Sequence, residues 1–158
     1  MQWAEVCADP NLRSLPYKIE LNEWGQIVMS PVKVYHSIFQ SEMVRWFYEL
    51  APHGKVASEC AIWTKKGTKV ADVAWMSLAI YEKVKWEDEC SLAPEICVEV
   101  LSTSNTGEEM LEKKALYFEQ GAHEVWICYK NGKMHFYSSA QPLKQSQLIP
   151  DFPKKLNL

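Results

Sequence analysis

The sequence has no long apolar run, and this absence excludes a membrane-spanning helix. No segment approaches the roughly 18 consecutive apolar residues that a bilayer-spanning helix needs. Residues 1–5 also lack the basic stretch followed by an apolar run that is typical of a secretory signal. We therefore expect a cytoplasmic protein with no membrane partner.

The motifs of several common enzyme classes are also missing. The chain has no G-x-x-x-x-G-K-[ST] or G-x-G-x-x-G loop for a nucleotide and no G-x-S-x-G turn for a serine nucleophile. Its four histidines form no H-x-x-x-H pair, so a histidine-bound zinc site is not expected. The five cysteines are odd in number and contain no C-x-x-C pair, which favours buried thiols over disulfides.

Positive charge is not in excess either, since the net charge is −3. The chain therefore has no general attraction to nucleic acid, for which phosphate contacts usually supply most of the affinity. Local basic groups do occur, at Lys65, Lys66 and Lys69 and again at Lys113 and Lys114. With 47% hydrophobic and 23% charged residues, the 158-residue chain has the composition of one soluble globular domain.

Apolar periodicity and turn residues predict an α/β fold in which helices flank a mixed sheet. The expected strands cover residues 17–21, 26–29, 56–64, 70–77, 96–101, 124–129 and 133–138. The expected helices cover residues 35–50 and 106–120, while residues 78–93 are ambiguous between a short helix and an acidic loop. We expect a single domain over residues 1–158, with a core at about 17–138 and an irregular, proline-containing tail after Gln141.

Two acidic residues lie inside strands that are otherwise apolar. Asp72 is part of V-A-D-V-A-W and Glu99 is part of I-C-V-E-V-L. A buried carboxylate is costly unless it is paired, hydrogen-bonded or bound to a metal. On neighbouring strands the two acids could share one Mg²⁺, which prefers oxygen ligands and can activate water against a phosphate. Alternatively, each acid lies at a strand end and faces water or a lysine.

One segment resembles a known family. Residues 94–105, P-E-I-C-V-E-V-L-S-T-S-N, are similar to the P-(x)₄-E-V-[LI]-S-x-S-[NT] segment of the Uma-two family. That bacterial family of restriction endonucleases belongs to the PD-(D/E)xK nuclease superfamily. Residues 109–126 match its next helix and strand, and residues 19–21, residues 25–31 and His36 resemble its first hairpin and helix start. The likeness covers roughly residues 17–130.

The resemblance implies a restriction-endonuclease-like fold and a Mg²⁺-dependent endonuclease, with Mn²⁺ as an alternative ion and DNA as the expected substrate. Asp72 and Glu99 would ligate the metal, and the main-chain carbonyl of Val100 would add an oxygen. Lys113 would lie beside the attacking water. Glu20 either reaches the metal from the first hairpin or only lies on the surface of a strand.

Two residues depart from the superfamily pattern. Ala71 replaces the usual proline of the PD motif, and Leu101 stands where the lysine of E-x-K would be. In the family this lysine is carried by the next helix, where Lys113 has the matching spacing to Tyr117. Lys114 falls within the apolar stripe of the same helix, so both lysines stay open, with Lys113 favoured.

Further alternatives remain at the sequence level. His36 either contacts phosphate or makes local hydrogen bonds at a helix start, and Glu59 is interpreted as a structural acid. A homodimer would suit an enzyme that cuts both strands of a duplex. The main competing hypothesis is a catalytically silent nuclease-fold module that binds nucleic acid or a protein partner. A third is a purely structural ion-pair network of Asp72, Glu99 and Lys113.

Overall fold

The computed structural model describes residues 1–103 and 105–158 and confirms the α/β fold. Its helices are α1 (Trp3–Ala8), α2 (Val34–Leu50), α3 (Leu78–Val84) and α4 (Gly107–Glu119). Its strands are β1 (Tyr17–Leu21), β2 (Ile27–Pro31), β3 (Gly54–Ile62), β4 (Lys69–Ser77), β5 (Ile96–Val100), β6 (Glu124–Cys128), β7 (Met134–Ser138) and β8 (Pro142–Leu143). Ser104, which belongs to the segment that resembles the family motif, lies outside the described residues.

A mixed sheet forms the centre of the described structure, with its six strands in the order β3-β4-β5-β6-β7-β8. β5 and β6 run parallel, and each of the other neighbouring pairs is antiparallel. β1 and β2 form a separate hairpin. The N–H of Leu21 donates to the carbonyl of Thr68 at 2.9 Å, so this hairpin is held against the start of β4.

Apolar layers cover both faces of the central strands, which explains why every residue of β5 and β6 is buried. On one face α2 contributes Phe39, Met43 and Phe47, and the Phe47 ring stacks on Trp126 at a centroid distance of 5.2 Å. On the other face α3 and α4 contribute side chains that include Tyr117. In the described residues no helix combines the length and the apolar character needed to cross a membrane.

Most predicted elements are found within a few residues of their expected bounds. The ambiguous stretch from residue 78 to residue 93 begins with the short helix α3 and continues as a loop. α1 was not expected, because a helix of six residues has little periodicity to detect. The cysteines are free thiols, of which four are buried and Cys7 is exposed.

The tail after Gln141 consists mainly of turns and bends, and its two residues in β8 pair with β7. Ile149, Phe152 and Leu156 in this tail are nevertheless buried against the sheet. The N–H of Leu156 donates to the carbonyl of Gly132 at 2.8 Å. Gly132 has φ of 88° and no room for a Cβ beside the Leu156 carbonyl, so the hairpin turn at this position requires glycine.

Candidate active site

The strands β4 and β5 separate at the end where the two predicted acids lie. Their antiparallel ladder ends at Val73, which pairs with Val98. Asp72 and Glu99 come one residue further, and here side chains replace the ladder. The N–H of Val100 donates to Asp72 Oδ2 at 2.7 Å, and the N–H of Asp72 donates to Glu99 Oε2 at 3.3 Å. Both carboxylates are therefore fixed side by side. Only 2% of the surface of Asp72 and 3% of that of Glu99 is exposed.

Lys113 reaches this pair from α4, whose first turn is capped by the Thr106 hydroxyl. Its Nζ lies 2.6 Å from Glu99 Oε1 and 2.8 Å from Glu20 Oε2. Glu20 Oε2 also accepts the N–H of Val70 at 2.7 Å, which anchors β1 to β4. The structure thus brings Asp72, Glu99, Glu20 and Lys113 together in one buried cluster.

The neighbouring lysine of α4 points elsewhere. Lys114 Nζ lies 4.0 Å from the centroid of the Tyr137 ring, a cation–π contact on a different part of the surface. Of the two lysines that the sequence left open, Lys113 is the one placed among the acids. Tyr117, one turn after Lys113, is fully buried and directs its hydroxyl towards Glu99 Oε1 at 3.5 Å.

Lys18 is a member of the cluster that the sequence analysis missed. Its Nζ lies 3.0 Å from Asp72 Oδ1, 3.6 Å from Glu99 Oε2 and 4.0 Å from Glu20 Oε2. A signal for it existed, because residues two apart on a strand face the same side. Any inward orientation of Glu20 on β1 therefore implies the same orientation of Lys18.

His36 and Gln40 approach Asp72 from successive turns of α2. His36 Nε2 lies 3.2 Å from Asp72 Oδ2, and His36 Nδ1 lies 3.3 Å from Gln40 Oε1. The side-chain amide of Gln40 donates to the main-chain carbonyl of Asp72 at 2.9 Å. Both ring nitrogens of His36 thus face oxygen acceptors, which an imidazolium satisfies fully because both of its nitrogens donate. His36 therefore contacts the site residue Asp72 and also makes a local hydrogen bond with Gln40 on its own helix.

The charges of the cluster shift the pKa values of its members in opposite directions. Burial alone would raise the pKa of Asp72, but the Lys18 ammonium and the His36 contact hold it well below its usual range. Burial raises the pKa of Glu99, and the nearby charges of Lys113 and Lys18 oppose that effect only in part. Glu99 is therefore the carboxylate whose charge the site stabilises least.

The acids in turn hold both lysines in the charged state. Burial opposes this effect, but Glu99 and its neighbours raise the pKa of Lys18 and of Lys113. In this state Lys113 is an ammonium and cannot act as a general base. Its chemistry is to donate hydrogen bonds and to supply positive charge.

The cluster lies in a cleft whose walls include Lys18, His36, Asp72, Glu99 and Val100. The β2 end, the loop after β5 and α4 complete the rim. The carboxylate pair therefore lies at the inner wall of this cleft.

Glu59 also borders this cleft, from the edge strand β3. It was interpreted as a structural acid, and the structure places it on the exposed surface with φ of 53°. This left-handed conformation is uncommon for a glutamate and locally interrupts the regular strand.

The donor atoms fit a hard cation. Among the described residues no group of three or more His, Cys, Asp or Glu side chains is arranged to hold a metal ion. Asp72 and Glu99, however, already direct one oxygen each at a shared cation, the ammonium of Lys18. Mg²⁺ is commonly held by one or two carboxylates, with main-chain oxygen, water and substrate phosphate completing its shell. The pair and the Val100 main chain could therefore hold Mg²⁺ or Mn²⁺ in that position.

Comparisons with known proteins identify the family. The family model described as "Uma2: Putative restriction endonuclease" matches residues 10–158. The fold resembles the crystal structure of a "putative nuclease belonging to DUF820" from Anabaena variabilis, with a TM-score of 0.72 and 17% identity over 89% of this chain and 81% of that chain. A search of curated proteins gave no match. This chain belongs to the Uma2 family, whose members are described as putative restriction endonucleases, and it shares its fold with the Anabaena variabilis protein.

Proposed function

We propose that this protein is a metal-dependent endonuclease that hydrolyses phosphodiester bonds of nucleic acid, with DNA as its substrate. One observation supports this proposal above the others: Asp72, Glu99 and Lys113 meet at the separated end of two central strands, inside a cleft. The family match adds to it, because the family is described as "putative restriction endonuclease".

Asp72, Glu99 and the main-chain carbonyl of Val100 would hold Mg²⁺ or Mn²⁺. When bound, such an ion polarises a phosphate oxygen and lowers the pKa of a coordinated water. Lys113 holds the Glu99 carboxylate in place and presents positive charge to the phosphate that enters the cleft. Glu20 positions Lys113 from the opposite side through its 2.8 Å ion pair. Cleavage of both strands of a duplex would need two such sites, which a homodimer would supply.

A second candidate is a nuclease-fold module that binds nucleic acid or a protein partner without cleaving. The observation in its favour is that Lys18 and Lys113 already neutralise much of the carboxylate charge. The net charge of −3 also favours it, because it offers little general attraction to phosphate. This module would bind a partner under conditions in which no metal supports cleavage.

Cleavage assays separate the two candidates. Supercoiled plasmid, linear duplex and single-stranded DNA and RNA would be incubated with wild type in Mg²⁺, in Mn²⁺ and in EDTA. The proposal expects metal-dependent nicking or fragmentation that Asp72→Asn and Glu99→Gln abolish and that Lys114→Met retains. Full activity in Asp72→Asn would contradict it. Gel-shift binding by wild type without cleavage in either metal would support the silent module.

A further inference from the structure

Lys18 lies between the two carboxylates that would hold a metal ion. Its ammonium is the group that bridges Asp72 Oδ1 and Glu99 Oε2, at 3.0 and 3.6 Å. Lys113 is bonded differently, since it joins Glu99 to Glu20. The two lysines therefore have separate positions in the cluster, and only that of Lys18 coincides with the shared site of the carboxylate pair.

An ammonium and a divalent ion compete for these oxygens. Mg²⁺ binds carboxylate oxygens at about 2.1 Å, so a Mg²⁺ shared by the two acids would be crowded by an ammonium hydrogen-bonded to Asp72 Oδ1 at 3.0 Å and paired with Glu99 Oε2 at 3.6 Å. Two positive charges so close together would also repel strongly in a site where little water screens them. Entry of the metal therefore requires Lys18 to leave the Asp72–Glu99 pair.

We propose that Lys18 is the resident cation of the metal-free site and that the metal enters by exchange with its ammonium. This inference rests on the proposed function, because it concerns the metal that the nuclease would use. The Lys18 side chain is 14% exposed and borders the cleft, so it has a route away from the pair. Glu20 Oε2, 4.0 Å from Lys18 Nζ, is an alternative partner on the same strand face.

The exchange has two consequences of opposite sign. Lys18 stabilises the metal-free protein, because it separates two buried carboxylates that would otherwise repel each other. It also weakens metal binding, because part of the binding free energy is used to break the Lys18 ion pairs. Removal of its charge should therefore lower the stability of the metal-free protein and raise its affinity for the metal.

Lys18→Met tests this, since methionine keeps an unbranched side chain of similar length and removes the ammonium. Thermal unfolding would be measured in EDTA and across a titration of Mg²⁺ and of Mn²⁺, with wild type alongside. The expected result is a lower melting temperature in EDTA and an apparent metal Kd at least about tenfold lower than that of wild type.

Lys69→Met is the matched control. Lys69 is a half-buried lysine at the start of β4 whose Nζ donates to the Leu21 carbonyl at 3.0 Å, near Glu20. Its loss changes the net charge by the same amount without touching Asp72 or Glu99. We expect its metal affinity to stay close to that of wild type, so that a general charge effect is separated from an exchange at Lys18.

Equal metal affinities in wild type and Lys18→Met, or weaker binding in the variant, would overturn the inference. Equal gains in Lys18→Met and Lys69→Met would overturn it too, because the effect would then be general. Either result leaves the nuclease proposal intact if wild type still cleaves with metal. Should Lys18→Met fail to fold, Lys18→Gln with direct Mn²⁺ binding measured by electron paramagnetic resonance gives the same comparison. Loss of cleavage in Asp72→Asn remains the separate test of the function.

Discussion

The protein buries acidic side chains in two places and satisfies them in different ways. Glu124 at the start of β6 is 1% exposed and accepts hydrogen bonds from the Trp126 indole at 2.8 Å and from the N–H groups of Gln147 and Leu148 at 3.0 and 2.9 Å. These three donors are uncharged and fixed by the fold. In the site around Glu99, by contrast, two of the main partners are lysine ammonium groups that line a cleft.

The difference separates a structural acid from a functional one. Donors fixed in the main chain cannot leave, so Glu124 holds the tail against the sheet and has no capacity for another ligand. An ammonium on a flexible side chain can be exchanged for a metal or can turn to a phosphate. Buried acids that pair with charged side chains beside a cleft are therefore better candidates for function than buried acids whose partners are all neutral and fixed.

Removal of the Lys113 ammonium should have the largest effect on the free energy of unfolding. Lys113→Met removes the closest cation of Glu99 and Glu20 and leaves only Lys18, at 3.6 and 4.0 Å; a buried carboxylate that loses its partner costs about 3–5 kcal/mol of unfolding free energy. Lys114→Met, its matched control, loses only the contact with Tyr137, at a cost below about 1 kcal/mol. Urea unfolding of both variants measures the difference, and similar losses would mean that Lys113 is not paired as the structure shows.

Replacement of Glu124 or Glu99 by glutamine should affect different properties: stability at Glu124 and cleavage activity at Glu99. Glu124→Gln sets an NH₂ group against fixed N–H donors, so we expect a loss of about 2–3 kcal/mol with cleavage retained by the folded fraction. Glu99→Gln also sets an NH₂ group against the Asp72 N–H or the Lys113 ammonium, but it removes the carboxylate whose charge the site stabilises least, so its loss of stability should be smaller than that of Glu124→Gln. Its metal-dependent cleavage should fall about 100-fold or more.

Denaturant unfolding and plasmid cleavage, measured on the same preparations of both variants, test whether Glu124→Gln loses more stability and Glu99→Gln loses more activity. If Glu99→Gln proved the less stable of the two, the contrast between fixed and exchangeable partners would be wrong. If Glu124→Gln lost cleavage while folded, Glu124 would have a role in the site that its position does not explain.

The smallest expected effect is a pH dependence of the metal-free protein. Burial lowers the pKa of His36, but the hydrogen bond and charge of Asp72 outweigh this and raise it above its ordinary value. Because the folded pKa is raised, the stabilisation is complete below the unfolded value of about 6.5 and is lost as the pH rises through the folded pKa. Urea unfolding in EDTA should therefore show wild type losing stability through this window.

His36→Gln provides the control, because glutamine stays uncharged throughout this range. The difference in unfolding free energy between wild type and variant should shrink as the pH rises. A difference that stays constant with pH would show that the Asp72 contact does not depend on the charge of the histidine.

Much of the fold was predictable because its signals are local. Strands and helices were located by the alternation of apolar and polar residues, by helical periodicity and by turn residues. The acid inside each of two apolar strands indicated the Asp72–Glu99 pair. The direction of Lys113 and Lys114 was not predictable from the helix alone. The expected apolar stripe included Leu111, which is 62% exposed, whereas the buried residues of α4 are Met110, Leu116 and Tyr117, so the inward face is the one that carries Lys113.

Partners that are distant in sequence account for the rest. Glu124 is buried because residues 147 and 148 fold back onto it, and no pattern near Glu124 encodes that contact. The spacing of Ile149, Phe152 and Leu156 did contain a signal for the buried tail, but the prolines around them favoured an irregular segment. Lys18 was missed because its acidic partners Asp72 and Glu99 lie far from it in the sequence and no motif residue marks it.

The placement of Phe152 has a consequence for the order of folding during synthesis. Its ring lies 4.6 Å from that of Trp126, which also stacks on Phe47, so one aromatic cluster unites residues far apart in the chain. Contacts of such long range form late and expose apolar surface until they do. Every proposed catalytic residue is thus synthesised before the core that supports it can close. Nascent chains that end before Phe152 should depend on chaperones to avoid aggregation.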